Sequence, residues 1–300
     1  MRRRPREILI CKQPWAMTAV IQRQYNGPPR GAEVRSSISV FCQGKGMWRL
    51  RAAFLLTLAT GCVATSWRPE TYRGTAPPVG PPAGVVFVAN GAGDFRALSQ
   101  NLATVLTETG APLQIKTVEW SLGYRRYVAD QVDHANHTVQ GRRLAAEVAA
   151  YRANYPERRI YLLGHSAGCA VLLIAAESLP PNSLDRMILL APSVCENYDL
   201  RPALRACRCG IDAYHSSRDR WILGLGVRIV GTTEGSCRSA AGLHGFAPVM
   251  ANSQDAALYA RLRQHPWDPV VEWTGHDGGH FGGNQTAFLR AYVLPLLSGN

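Results

Sequence analysis

The segment with the clearest chemical content in this 300-residue chain is Gly164-His165-Ser166-Ala167-Gly168. A serine hydroxyl is a poor nucleophile at neutral pH. It needs an imidazole to take its proton and a carboxylate to fix that imidazole's tautomer. Between a buried strand and a helix, the G-x-S-x-G spacing puts the serine on a sharp turn. Small residues at both ends then let strand and helix approach, and Oγ projects at the strand's C-terminal edge. The alternative is a glycine-rich turn whose serine only caps the next helix. The pattern alone would not choose, but its flanking segments favour the nucleophile.

Those flanks belong to a longer alternation. Gly84 to Ala89 reads GVVFVA, too uniformly apolar for a half-wet strand and suited to a central parallel one buried on both faces. Leu98, Leu102, Val105 and Leu106 mark one helix face, closed by Gly110. A second strand is expected at Leu113 to Trp120, then a polar loop with Tyr124, Tyr127, His134 and His137, then a helix carrying Leu144, Val148 and Tyr151. The strand Arg159 to Leu163 runs into the serine motif, and a helix of small apolar residues, Cys169 to Glu177, leaves it. Further strands are expected at Met187 to Ala191 and Ile211 to His215, a last one at Val270 to Trp273, and a closing helix at Gln285 to Leu294. This order predicts an α/β fold with a mostly parallel sheet, helices on both faces and right-handed crossovers.

With the serine motif in that context, residues 84–297 resemble the α/β-hydrolase superfamily, in its serine esterase and lipase-like form. The resemblance implies the chain order Ser, Asp, His, with the acid after a later strand and the histidine after the last. Asp219, in YHSSRDRWI, is the best placed acid. Asp212 would fall inside a strand, and Asp277 shares the loop of the candidate histidines. Asp219 could instead belong to a solvated ion cluster with Arg218 and Arg220. Both His276 and His280 follow the expected last strand. His280 is favoured because it stands after two glycines and just before the closing helix, with His276 as the alternative catalytic residue. His244 precedes that strand, and His165 reads as a packing or hydrogen-bonding residue. The resemblance also implies an oxyanion hole from the Ala167 N–H and a second donor, Gly91 or Ala92, in the loop Asn90-Gly91-Ala92-Gly93. The implied activity is hydrolysis of an ester, lipid or thioester through an acyl-serine, with no cofactor or metal. The rival is a non-catalytic cell-surface binding protein that keeps the fold.

Composition is ordinary for a globular chain, at 46% apolar and 18% charged, but the net charge of +12 stands out. Residues 1–46 carry nine basic groups and two acidic ones, with no helix or strand period. This basic stretch reads as a disordered extension, which a start at Met47 would leave untranslated. Residues 47–61 follow as a signal segment, with Arg49 and Arg51 ahead of the apolar run Ala52 to Ala59 and small residues leading to Cys62. The layout resembles a bacterial lipoprotein signal, with Ala59 where Leu is usual, and implies a lipid on Cys62, membrane attachment and an exported, periplasmic or cell-surface location. The other reading is a short buried helix. The apolar run is far short of the roughly 20 residues that span a bilayer. From Cys62 onward, 22 basic and 19 acidic groups remain, which removes the charge argument for nucleic acid.

Residues 62–82 read as a proline-rich tether and 83–300 as a single α/β-hydrolase domain. Cys169 is expected to be a free packing residue, and Cys195, Cys207, Cys209 and Cys237 could form two disulfides. Cys207-Arg-Cys209 is too tight for a four-thiolate zinc site. Apolar stretches between Trp221 and Pro269 could roof or flank the pocket, and Trp120, Tyr124 and Tyr127 could either line another wall or pack in the core.

Overall fold

The computed structural model describes residues 82–298 except 221, 224–231 and 234–238, all within the unit Thr71–Asn300. The extension 1–46, the signal segment 47–61, the lipidation at Cys62 and the tether up to residue 81 lie outside the described residues.

Among the described residues, six strands form one sheet: β1 Gly84–Ala89, β2 Leu113–Thr117, β3 Arg159–His165, β4 Arg186–Leu190, β5 Ile211–His215 and β6 Leu262–Pro266. Their order is β2-β1-β3-β4-β5-β6 and every pairing is parallel. The helices are α1 Ala97–Thr109, α2 Tyr127–Val132, α3 His134–Asn154, α4 Gly168–Glu177, α5 Arg201–Ala206, α6 Ala241–His244 and α7 Gln254–Tyr259. A closing helix follows, α-helical over Thr286–Phe288, π-helical over Leu289–Val293 and α-helical again over Leu294–Leu297.

The apolar runs in β1 and β3 have two cores to fill. Val85, Phe87, Ile160 and Leu162 pack with α3, α4 and α5, whereas Val86, Val88, Tyr161 and Leu163 pack with α1 and the closing helix. Because successive side chains alternate faces, a strand covered on both sides must be apolar throughout. The parallel sheet with helices on both faces is the α/β-hydrolase fold. Its winding reverses between β1 and β3, and in such sheets the crevice beyond the strands' carboxyl ends at the reversal is where ligands bind. The serine motif leaves β3, and the Asn90–Gly93 loop leaves β1.

Three expectations about elements are corrected. Val270 to Trp273 is no strand but lies in a 3₁₀ helix, Pro269–Thr274, which Asp268 caps by accepting the Val270 N–H. With Val270 66% and Trp273 69% exposed, these side chains are apolar without being core. The sixth strand is instead LRQHP, a half-exposed sheet edge too polar to stand out in the sequence. The loop around Tyr127 and His134 is helical, forming α2 and the start of α3, where the Asp133 side chain accepts the Asn136 N–H at 2.9 Å. Two disulfides among the four later cysteines do not form, because Cys207 and Cys209 keep their thiols out of any disulfide; Cys195 is disulfide-bonded, and Cys169 is an unbridged, buried thiol as expected.

Candidate active site

Ser166 sits where β3 ends and α4 begins, with a φ of +53°. A non-glycine residue at positive φ is strained, and the surroundings hold it there. The Ser166 N–H donates to the Leu190 carbonyl at 3.0 Å, and its own carbonyl accepts the Cys169 and Ser193 N–H groups. Gly168 is required by crowding, since a Cβ there would lie 2.3 Å from the Asn90 carbonyl oxygen and 2.7 Å from that of Ala89. The turn is thus pressed against the end of β1.

His280 Nε2 lies 2.8 Å from Ser166 Oγ, and His280 Nδ1 lies 2.6 Å from Asp219 Oδ2. All three residues are buried. With the Nδ1–H donated to the carboxylate, the bare Nε2 can accept the serine proton. Asp219 comes from the loop after β5, where its N–H donates to the Ser216 carbonyl, and His280 from the turn before Gly282–Asn284, a single 3₁₀ turn. The arrangement can pass a hydroxyl proton to an imidazole while a carboxylate holds the other ring nitrogen.

The remaining candidates sit elsewhere. Asp212 is fully buried in β5 and saturated by Arg186, Arg263 and His265. Asp277 is exposed, and its carboxylate accepts the Gly279 N–H. His276 packs on Phe288 at 4.9 Å and its Nδ1 accepts the Gly278 N–H, with burial lowering its pKa. His244 is exposed at the end of α6. His165 is buried, and its Nε2 lies 2.9 Å from the His280 carbonyl oxygen.

For charge on an attacked carbonyl, two backbone segments converge. Ala167 precedes the first turn of α4, where N–H groups have no intrahelical acceptor. Across from it, Gly91 is so close that a Cβ there would lie 3.5 Å from Ser166 Cβ. The loop is fixed through Asn90, whose side chain exchanges hydrogen bonds with Ser99 of α1 and whose carbonyl accepts the Trp120 indole N–H at 2.9 Å. Trp120 is therefore a buried support of the loop rather than a pocket wall. Phe95, Tyr124, Tyr127 and Phe281 form a ring cluster beside it, with Phe95 and Tyr127 stacked at 5.2 Å and Phe281 51% exposed next to His280. Neither Phe95 nor Phe281 stands out in the sequence, where an isolated aromatic in a loop carries no signal. Among the described residues, no group of three or more His, Cys, Asp or Glu side chains is placed to hold a metal ion.

No family model matches the chain. Among curated proteins it is similar to the monoglyceride lipase of Rattus norvegicus, 27% identical over 128 residues, and to that of Mus musculus, 29% identical over 129 residues. Each match covers 43% of this chain and 41% of the relative. A monoglyceride lipase homolog of Monkeypox virus is 28% identical over 138 residues, covering 46% of this chain and 45% of the relative. The chain thus spans less than half the length of these relatives. Among solved structures it is similar to an α/β serine hydrolase without lid from Xanthomonas campestris, at 16% identity and a TM-score of 0.41 over 75% of this chain and 84% of the other. It is also similar to a cutinase from Trichoderma reesei, at 13% identity and a TM-score of 0.36 over 86% and 93%.

Proposed function

We propose that the protein is a serine hydrolase that cleaves a carboxylic ester through an acyl-enzyme on Ser166. The observation that carries the reading is the continuous hydrogen-bonded line from Ser166 Oγ through His280 to Asp219. Ser166 Oγ attacks the ester carbonyl carbon while its proton passes to His280 Nε2. The Nδ1–H stays on His280, and Asp219 stabilises the imidazolium. The tetrahedral oxygen takes hydrogen bonds from the Ala167 N–H and from Ala92 or Gly91. As the C–O bond breaks, Nε2–H protonates the departing alcohol. A water then repeats the sequence on the acyl-serine and releases the acid.

The ring cluster at Phe95 and Phe281 favours a substrate with an apolar part, and the resemblance to monoglyceride lipases favours a fatty ester. For location, residues 47–62 support export with a lipid on Cys62, and the N-terminal mass of the natural protein tests this.

Ser166→Ala tests the central reading. It is expected to abolish p-nitrophenyl ester turnover and labelling by a fluorophosphonate, with the circular dichroism spectrum unchanged. Turnover or labelling that survives in the folded variant would overturn it.

A further inference from the structure

Asp130 is fully buried, yet the acyl transfer just described makes no use of it. Its carboxylate collects three donors: Oδ2 accepts the Gly93 N–H at 2.7 Å and the Ser121 hydroxyl, and Oδ1 accepts the Leu122 N–H at 2.7 Å. Gly93 belongs to the loop after β1, Ser121 and Leu122 to the loop after β2, and Asp130 rides on α2. One side chain therefore ties together two loops from neighbouring strands at the end of the sheet where Ser166 lies. The next residue, Gln131, extends the tie by donating its side-chain amide to Ser193 Oγ at 2.7 Å, and the Ser193 N–H reaches the Ser166 carbonyl at 3.3 Å.

Burying a carboxylate is costly unless its oxygens are satisfied, so the donors are held as firmly as the acid is. Gly93 feels this most. Its N–H is committed to Asp130, and its carbonyl accepts the Arg125 N–H at 3.0 Å. At a φ of +80° it lies against Tyr127, whose ring would be 2.3 Å from a Cβ. That excludes the Gly93 N–H as a donor to substrate and fixes the peptide plane joining it to Ala92. The Ala92 N–H makes no backbone hydrogen bond among the described residues.

We infer that Asp130 is a positioning residue of the oxyanion hole: by pinning the Gly93 N–H inward it fixes the Ala92–Gly93 peptide and so the backbone of Ala92, whose own N–H, in the preceding peptide, is thereby held toward the tetrahedral oxygen. The inference rests on the acyl-serine reading, and it adds a residue on α2 to a site otherwise built from the loops after β1, β3 and β5 and from the turn ahead of the closing helix.

Its test compares a p-nitrophenyl ester with the matching thionoester, whose sulfur accepts hydrogen bonds poorly, in Asp130→Asn and in the milder Ser121→Ala. For the oxygen ester, Asp130→Asn is expected to lower kcat roughly 10²-fold with KM held, as when an oxyanion donor is lost. The thionoester should change little, so the oxygen-to-sulfur preference collapses. Ser121→Ala, which removes one of the three donors, is expected to shift the preference in the same direction by a few-fold, and it keeps the test open if Asp130→Asn does not fold. A purely structural role would lower both esters alike, and an equal fall or an unchanged ratio in the folded variants overturns the inference. Should wild-type turnover survive Ser166→Ala, the acyl-serine reading falls and takes this inference with it. Turnover that depends on Ser166 with an unaltered ratio removes the Asp130 inference alone.

Discussion

His165 Nε2 stands 2.9 Å from the carbonyl oxygen of His280, with the two rings 4.8 Å apart, so the imidazole inside the serine motif grips the backbone of the imidazole outside it. A carbonyl only accepts, so Nε2 carries the proton and Nδ1 is bare in the neutral ring. Burial, and then the nearness of His280, pushes the His165 pKa down to about 3, with the hydrogen bond to the His280 carbonyl opposing them.

The consequence is a pH dependence of stability with a defined sign. An unfolded histidine titrates near ~6.5, so the unfolded chain takes up a proton that the folded chain refuses. The stabilising contribution is complete above about 6.5 and falls away as pH drops from there toward about 3. His165→Phe cannot take up that proton. It is expected to lower Tm at pH 7, since the His280 carbonyl loses its donor at a cost of about 1–2 kcal/mol, and to flatten the decline of Tm between pH 6.5 and 4.5. Calorimetric scans across that range check this, and parallel declines for the two proteins would refute it.

The two histidines that follow one another in the closing segment can be separated by activity. His280 faces both Ser166 and Asp219, whereas His276 faces Phe288 and its own loop. Asp219→Asn is expected to reduce kcat by roughly 10⁴-fold with little change in fold, because the wrong tautomer is then held at His280. His276→Gln should cost less than about 10-fold in kcat and act mainly through stability, since it removes a buried ring and an acceptor. Steady-state kinetics on one ester decide between them, and a larger kcat loss in the His276 variant would reverse the assignment.

How much of this was legible beforehand follows from where the information lies. The serine motif and GVVFVA are local signals, and Ser166, Asp219 and His280 do converge. The strand at Val270 to Trp273 misled because a short apolar run does not say whether it is buried, and Asp268-Pro269 makes a helical start that outweighs β propensity. β6 carries no sequence signal, because an edge strand needs no apolar alternation on its open side. Asp130 could not have been found: YVADQV offers no sign that its single acid is enclosed, since the donors come from Gly93, Ser121 and Leu122 in two separate loops.

Gly168 gives a test of the turn itself. A Cβ at this position would meet backbone oxygens of Ala89 and Asn90, which cannot rotate away as a side chain can. Gly168→Ala is expected to force β1 and α4 apart and to destabilise by about 1–3 kcal/mol, the range for overpacking. Fluorophosphonate labelling of Ser166 should slow even in the folded fraction, because the Asn90–Gly93 loop moves with the end of β1. A variant with unchanged Tm and labelling rate would contradict the packing argument.

At the far end of the same strands, Asp212 predicts a second acid window, distinct from that of His165. Burial alone would raise its carboxyl, but hydrogen bonds from Arg263 and His265 and the charges of Arg263 and Arg186 outweigh it and hold the pKa well below the usual carboxylate range. The stabilisation is therefore full above the unfolded value of ~3.9 and is lost only as pH falls below it. Asp212→Asn leaves the buried Arg186 without its counter-charge, at 2.7 Å in the native pair, and is expected to cost about 3 kcal/mol at pH 7. It should flatten the stability profile below about pH 4 while keeping the slope from His165 above it, whereas His165→Phe does the reverse. Urea midpoints at pH 7, 5 and 3 for the two variants and the double variant separate these contributions. Because one group sits beside Ser166 and the other at the start of β5, their effects should add. Strong non-additivity would mean that the two ends of the sheet do not unfold as independent titrating sites.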